Sequence, residues 1–419
     1  MIQKRQGGDI KKPRVLIVHN KYQLQGGEST VVNNENFLLQ KNGHEVQVEL
    51  VSNHLIDTIK SKVTTGINAS YSDFGYRWMI EKIEKFGPDI VHVHNFFPLL
   101  SPSIFHACKI KNIPSVFTLH NFRLFCSNGV CFKKNKPCEA CLFTSAYGAI
   151  FSSCYRESKL ATFAVARMIE ENRKQWPDLV DHFITLNEFS KEKFQLFGIP
   201  HDKMTVKSNF VPNTYFNQIM SFRPKSKNKK TATFLGRLSD EKGIIFLLEM
   251  WKKKSPDLML QVIGDGPLYS KVKTYESSKI KVYGKLDGHI AKDELFNSNF
   301  LIVPSLWYEM FPMVIAEGFS LGTPVVATKI GGIPEIVIDE YNGLLFEQGD
   351  ENSLFDKVDL LSKNFEYNSK LSAGARKTFD EKYNEEINYE KLLTIYTKIL
   401  SKEENVSKNN SKSNIWNSL

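Results

Sequence analysis

The chain has 419 residues, 42% of them hydrophobic and 24% charged, a soluble globular composition too long for one ordinary core. Its formal net charge of +9 suits an anionic substrate or an anionic membrane face, while the lack of a dense basic stripe interleaved with aromatics argues against nucleic acid as a partner. No apolar run is long enough to span a bilayer, and the start "MIQKRQGGDIKKPR" is polar and basic rather than a secretory signal, so the expected location is the cytoplasm.

Residues 1–13 read as a polar leader. Short buried-strand patterns follow at "RVLIVH" (14–19), "EVQVEL" (45–50), "DIVHVH" (89–94), "SVFTLH" (115–120) and "HFITL" (182–186). Helical patterns such as "GYRWMIEKIEKFG" and "EFSKEKFQLFG" separate them, which predicts a parallel sheet covered on both faces. The cysteine-containing stretch 121–155 interrupts this alternation as an insertion. "SFRPKSKNKK" (221–230) is polar and aperiodic and reads as a linker. The alternation restarts with "TATFLG" (231–236), "LMLQVIG" (258–264), "IKVYG" (280–284), "FLIVPS" (300–305) and "TPVVAT" (323–328). The expected fold class is α/β: two doubly wound, Rossmann-like parallel-sheet domains, 14–210 and 211–385, facing across a cleft. A helix at 386–402 is expected to cross back to the first domain, and 403–419 reads as a disordered tail.

In such sheets, ligands bind beyond the carboxyl ends of the strands. In "FLGRLSDEKGI" (234–244), Gly236 allows a sharp turn, and Arg237 and Lys242 flank a polar turn that opens the next helix. Two cations beside helix N–H groups can hold a diphosphate; a solvated turn is the plain alternative. "PSLWYEMFPMVIAEGFSLGTPVVA" (304–327) carries Glu309 and Glu317, eight positions apart among apolar or small residues. Pro312 suits the start of a helix. That leaves Glu309 in the preceding loop, where it can hold sugar hydroxyls, and Glu317 inside the helix, where it can accept two hydrogen bonds from a ribose.

The ordered pattern "GRLSDEKG…VIGDGP…VYGKL…PSLWYE-x7-E…GTPVVAT…GGIPEIV…NGLLF" resembles the nucleotide-binding half of the family 4 glycosyltransferases, which have the GT-B fold and retain anomeric configuration. The resemblance implies that Arg237 and Lys242 hold the donor diphosphate and Glu317 the ribose. It places Glu309 near the donor sugar or phosphate and the backbone of Tyr283, Gly284 and Lys285 near the base. The donor loop continues through Phe311, Pro312 and Met313, where Met310-Phe311-Pro312 replaces the glycine-rich stretch of many members. His120, in the second of two strand-ending "HNF" triplets, matches a family histidine that contacts the donor sugar. The implied catalytic set is therefore His120, Glu309, Arg237 and Lys242.

Gly26-Gly27 follow the first strand and precede a helical segment, so they can permit close approach of a ligand to the backbone. Without G-x-G-x-x-G, a dehydrogenase is disfavoured. No D-x-D arrangement is present, so no catalytic metal is expected, and catalysis is electrostatic and positional. All six cysteines fall between Cys108 and Cys154. Cys138-x-x-Cys141, flanked by Cys126 and Cys154, can close a structural zinc site; reduced thiols packed in a loop are the alternative. Segment 156–176 pairs Leu160, Phe163, Ala164 and Met168 with basic residues, either as core packing or as a helix lying on an anionic membrane.

The expected activity moves a hexose or deoxyhexose from a UDP-, GDP- or dTDP-linked donor to a hydroxyl of a saccharide or lipid-linked saccharide. Bacterial surface polysaccharide such as capsule or O-antigen is the expected product, made at the inner face of the membrane. A nucleotide-sugar epimerase of GT-B fold, which needs no acceptor, and a non-catalytic nucleotide-sugar-binding protein are the rival readings.

Overall fold

The computed structural model describes residues 12–21, 27–53, 58–213 and 230–416. Most of the leader, Gly26, linker residues 214–229 and residues 417–419 lie outside the described residues. Two compact units emerge: residues 1–119, 174–184 and 392–419 form one, and residues 120–173 and 185–391 the other.

The first sheet contains β1 (Val15–Lys21), β2 (Val46–Ser52), β3 (Ile90–Asn95), β4 (Ser115–Thr118), β7 (His182–Thr185) and β8 (Met204–Val206), in the order β2-β1-β3-β4-β7-β8. Between β4 and β7 lies a two-stranded hairpin of β5 (Phe132–Lys133) and β6 (Lys136–Pro137). β1 pairs in parallel with β2 from Val15↔Val46 to Lys21↔Ser52. Val15, Leu16, Ile17 and Val18 are all fully buried. A strand covered on both faces reads as a continuous apolar run, which is why this sheet was legible without strict alternation.

The second sheet contains β9 (Thr231–Leu235), β10 (Met259–Ile263), β11 (Ile280–Gly284), β12 (Phe300–Val303), β13 (Val325–Thr328) and β14 (Gly343–Phe346), in the order β11-β10-β9-β12-β13-β14. Counting from β9, that is the 3-2-1-4-5-6 order of doubly wound sheets. β9 and β12 run parallel, and the order of connection reverses between them, the switch point beyond whose strand ends doubly wound sheets bind ligands. The core around it includes Phe234, Leu247, Trp251, Leu260, Val262 and Phe300.

The last helix, Glu385–Trp416, continues through 403–416, the stretch read from sequence as a disordered tail. No glycine or proline occurs between 385 and 416 to stop it. In the first unit this helix supplies Tyr396, fully buried, whose hydroxyl lies 2.8 Å from His92 Nδ1. Burial, reinforced by Glu35, holds the phenol well above its ordinary pKa, so it stays protonated. His92 Nε2 lies 2.7 Å from Thr118 Oγ1. Glu35 Oε2 stands 3.2 Å from His94 Nε2 and 3.5 Å from His92 Nδ1. Helix Gly27–Lys41, strands β3 and β4 and the terminal helix thus share one buried polar network. Tyr396→Phe removes one partner of this buried hydrogen bond and leaves the other unsatisfied, and should cost about 1–3 kcal/mol in urea unfolding of the full chain. A loss near zero would show that the hydroxyl does not tie the helix to the sheet.

Candidate active site at the switch point of the second sheet

β9 ends at Leu235, and the chain turns through Gly236 and Arg237 before Leu238 is buried. Gly236 N–H donates to Ile263 O, and Leu238 N–H to Asp265 O, which ties this turn to the "GDGP" turn after β10. The backbones are close enough that a Cβ on Gly264, whose φ is +147°, would meet Gly236 O at 1.8 Å. Arg237 is thereby left exposed, with no ion pair among the described residues.

A short 3-10 turn, Asp240–Lys242, leads through Gly243 into helix Ile244–Lys254. Gly243 has φ +69°, and a Cβ there would lie 1.9 Å from Pro304 O. Glycine is what allows the loop after β9 to lie against the loop after β12. Leu306 N–H donates to Glu241 O at 2.9 Å, closing the same contact.

Across this seam, Lys242 Nζ lies 2.6 Å from Glu309 Oε1. Ser305 Oγ donates to that same oxygen at 2.7 Å. Lys242 also sits over the Trp307 ring, 5.1 Å from its centroid. The Glu309 side chain is only 5% exposed, against 25% for Lys242, so the carboxylate is buried with its charge matched. The sequence assigned Lys242 to a phosphate and Glu309 to a sugar; the structure joins the two residues. Ser305, which helps to fix Glu309, was not singled out from sequence, though it ends the quoted "FLIVPS".

Pro312 caps helix Met313–Ser320 rather than occupying its first turn. Phe311 is buried edge-on against Tyr383, with ring centroids 5.3 Å apart. Met313 is half-buried at the helix start. Glu317 lies one turn in, also half-buried; burial raises its carboxyl above the ordinary range, and Lys292 opposes that rise. Gly284, with φ +74°, accepts from Gly264 N–H through its carbonyl. Tyr283 turns its ring under Lys281 and takes a hydrogen bond from Gln261, while Lys285 is exposed. His120 is half-buried just past β4. Gly27 begins its helix, exposed.

The "GGIPEIV" segment has a role that sequence reading did not assign. Glu335 accepts from the N–H groups of Glu188 (2.7 Å) and Phe189 (2.6 Å), at the start of helix Glu188–Phe197. A carboxylate at a helix N-terminus is favoured by the orphan N–H groups and the helix dipole. Asn187 caps the same helix and donates to Met310 O; a Cβ on Gly332 would strike its amide. Two glycines, a proline and a glutamate following a strand, Gly331 to Glu335, were the available signal.

The four candidate zinc ligands fall in one neighbourhood. Cys126 is drawn down to about 6, first by a hydrogen bond from the Cys131 thiol, against burial. Burial pushes Cys141 up to about 11 and raises Cys154 as well; both feel the charge of Cys126 and Cys138. Among the described residues, the one group of three His, Cys, Asp or Glu ligand atoms lying mutually within 4.8 Å is Glu35, His92 and His94, so the thiols are not drawn to metal spacing.

Glu317 generates a stability test. Ionisation of a buried carboxyl with a raised pKa costs stability as pH climbs above the ordinary value of 4.5. Glu317→Gln should therefore raise the melting temperature at neutral pH, and the gain should vanish as pH falls below 4.5. A pH-independent gain would assign it to packing instead.

Residues 25–214 match the model of glycosyltransferase family 4, and residues 216–378 that of glycosyl transferases group 1. An uncharacterised glycosyltransferase of Methanocaldococcus jannaschii is 36% identical over 155 residues, which are 36% of this chain and 43% of that protein. The chain thus spans less than half the length of that relative. An amylovoran biosynthesis glycosyltransferase of Erwinia amylovora is 23% identical over 55% of this chain and 60% of its own. Among solved structures, Anabaena HepE in complex with UDP has a TM-score of 0.64 at 15% identity, covering 92% of this chain and 100% of that one. With adjoining family models over both halves and two parallel α/β sheets of GT-B type, the chain belongs to the family 4 glycosyltransferases.

Proposed function

We propose that this glycosyltransferase moves a sugar from a nucleoside-diphosphate donor to a hydroxyl of a saccharide or lipid-linked saccharide, with retention at the anomeric carbon. The observation that carries this reading is the pairing of Lys242 with buried Glu309 beside exposed Arg237, at the switch point of a 3-2-1-4-5-6 sheet. Arg237 and Lys242 neutralise the leaving diphosphate. Glu309 Oε1 is committed to Lys242 and Ser305, which leaves Oε2 for the donor sugar hydroxyls. Glu317 accepts the ribose hydroxyls, the Tyr283–Lys285 backbone borders the base, and His120 contacts the donor sugar. The bond from the anomeric carbon to the phosphate oxygen breaks as the acceptor oxygen bonds to the same face, and the departing phosphate takes the acceptor proton. No metal takes part in this step.

UDP complexes of a similarly folded protein make UDP-sugars the first donors to try. Kinship with an amylovoran biosynthesis enzyme supports a polysaccharide product. Manufacture on a lipid carrier at the inner membrane face fits the basic net charge. No helix among the described residues is long and apolar enough to cross a membrane.

Arg237→Ala is the cleaner test of the diphosphate role, because Lys242→Ala also strands a buried carboxylate. Arg237→Ala should lower transfer about 10²–10³-fold with the melting temperature unchanged, and EDTA should leave the wild-type rate intact. Full activity in that variant at low and saturating donor would refute the assignment.

A structural zinc on Cys126, Cys138, Cys141 and Cys154 is the second part of the proposal. It is supported by four thiols sharing one neighbourhood in a segment with little apolar pattern of its own. Binding requires the sulfurs to converge from their present spacing. Protein purified without added metal should carry about one zinc per chain, lost in Cys138→Ser. Active enzyme devoid of zinc would leave the four residues as packing thiols.

A further inference from the structure

The cysteine-rich segment packs three short helical pieces against one another, and each is turned the wrong way for a surface in water. In Ala140–Phe143 the buried residue is Leu142, while Phe143 is 66% exposed. In the 3-10 turn Ala146–Ser152, Ala146 and Ala149 are buried while Tyr147 is 38% and Phe151 90% exposed. Helix Lys159–Asn172 buries Thr162, Val165, Ala166, Met168 and Ile169, yet Leu160 is 83% and Phe163 46% exposed. Of the apolar residues read from sequence on this helix, Met168 belongs to the core, whereas Leu160 and Phe163 do not. Small and aliphatic side chains fill the interior, and the large rings face out.

These outward residues lie on neighbouring pieces of chain. Tyr147 and Phe163 stack with centroids 6.0 Å apart, which joins the 3-10 turn to the helix. Leu160 lies one helical turn before Phe163 and extends that face, while Phe151 ends the 3-10 turn, almost wholly exposed. Arg173 closes the other side by donating to Cys141 O and Thr144 O, and Ala146 N–H donates to Glu170.

Basic side chains outnumber acidic ones beside these residues, with Glu157 exposed between Arg156 and Lys159. Lys134 and Lys136 are exposed on the β5–β6 hairpin, and Lys133, on the same hairpin, acts on Cys154. Arg156 and Lys159 are exposed between Phe151 and Leu160. None of these five residues takes part in an ion pair among the described residues. The nearby acid Glu139 is already bound to Lys193 at 2.7 Å.

We propose that this face, built from Tyr147, Phe151, Leu160 and Phe163 beside an excess of lysine and arginine side chains, is a docking surface for an anionic lipid bilayer. Aromatic and leucine side chains enter the acyl boundary while basic side chains meet lipid phosphates, which is the recognised chemistry of interfacial binding. The basic excess selects a bilayer over a second copy of the chain, because two such faces would repel each other. This surface is independent of the nucleotide site and holds whether or not the transfer reaction proposed above is correct.

Flotation of the full chain with neutral phosphatidylcholine vesicles, and with vesicles that also contain phosphatidylglycerol, tests it. Recovery should be at least about tenfold higher on the anionic vesicles, at about fivefold per basic residue engaged. Phe151→Ser with Leu160→Ser should lower that recovery about tenfold or more. Lys134→Glu, Lys136→Glu and Lys159→Glu together should erase the preference for anionic lipid. Because all five positions are exposed, the variants should keep the wild-type melting temperature and its shift on adding UDP; a failed UDP shift in wild type would count against the donor reading alone. Equal recovery on both vesicle types, no recovery on either, or variants that float like wild type would overturn the docking surface. So would sedimentation showing a wild-type dimer that becomes monomeric in Phe151→Ser/Leu160→Ser, which would give the patch to a second copy.

Discussion

A carboxylate taken out of water needs a matched charge or several donors, and the candidate site is organised by how Glu309 meets that need. Its Oε1 receives Lys242 at 2.6 Å and Ser305 at 2.7 Å. For Lys242 to reach it, the loops leaving β9 and β12 must touch. That contact exists because Gly243 has no side chain to collide with Pro304. A similar constraint one strand away makes Gly264 lie on Gly236. Two backbone approaches and one ion pair thus hold the loops after β9, β10 and β12 together and leave Arg237 exposed.

The same rule recurs with different partners. Glu335 finds backbone N–H groups at a helix start instead of a cation. Glu35, deep in the first unit, is met by His94 and His92, and His92 is itself held by Tyr396 and Thr118. In each case the acid joins segments distant in sequence, so removing the acid removes a join as well as a charge. That makes single-site activity losses at Lys242 or Glu309 poor evidence of chemistry unless stability is measured beside them.

Much of the fold was legible because its strands are apolar runs punctuated by glycine and proline, and because the helices between them carry clear periodicity. The residues after β9 and β12 were legible for the same reason: a parallel sheet directs attention to its strand ends. What could not be read was pairing. Lys242 and Glu309 are 67 positions apart, and nothing in either segment names the other. Nor could the outward direction of Leu160 and Phe163 be told from the inward direction of Met168, since all four apolar positions fit one helical stripe within a turn's tolerance.

Half-buried Glu317 stands apart from Glu309 and Glu35. Its charge neighbour, Lys292, only moderates a rise in pKa that burial imposes. Glu309 arrives with its charge already compensated, so a ligand gains little by adding donors to Oε1. Glu317 lacks that compensation, so hydroxyl donors brought to it would relieve a desolvation cost. Hydrogen bonds to a carboxylate favour its charged form, so occupation of the site and ionisation of Glu317 reinforce each other. The two glutamates of one segment therefore differ: the first is held by Lys242 and Ser305, and the second carries a desolvation cost that Lys292 only moderates.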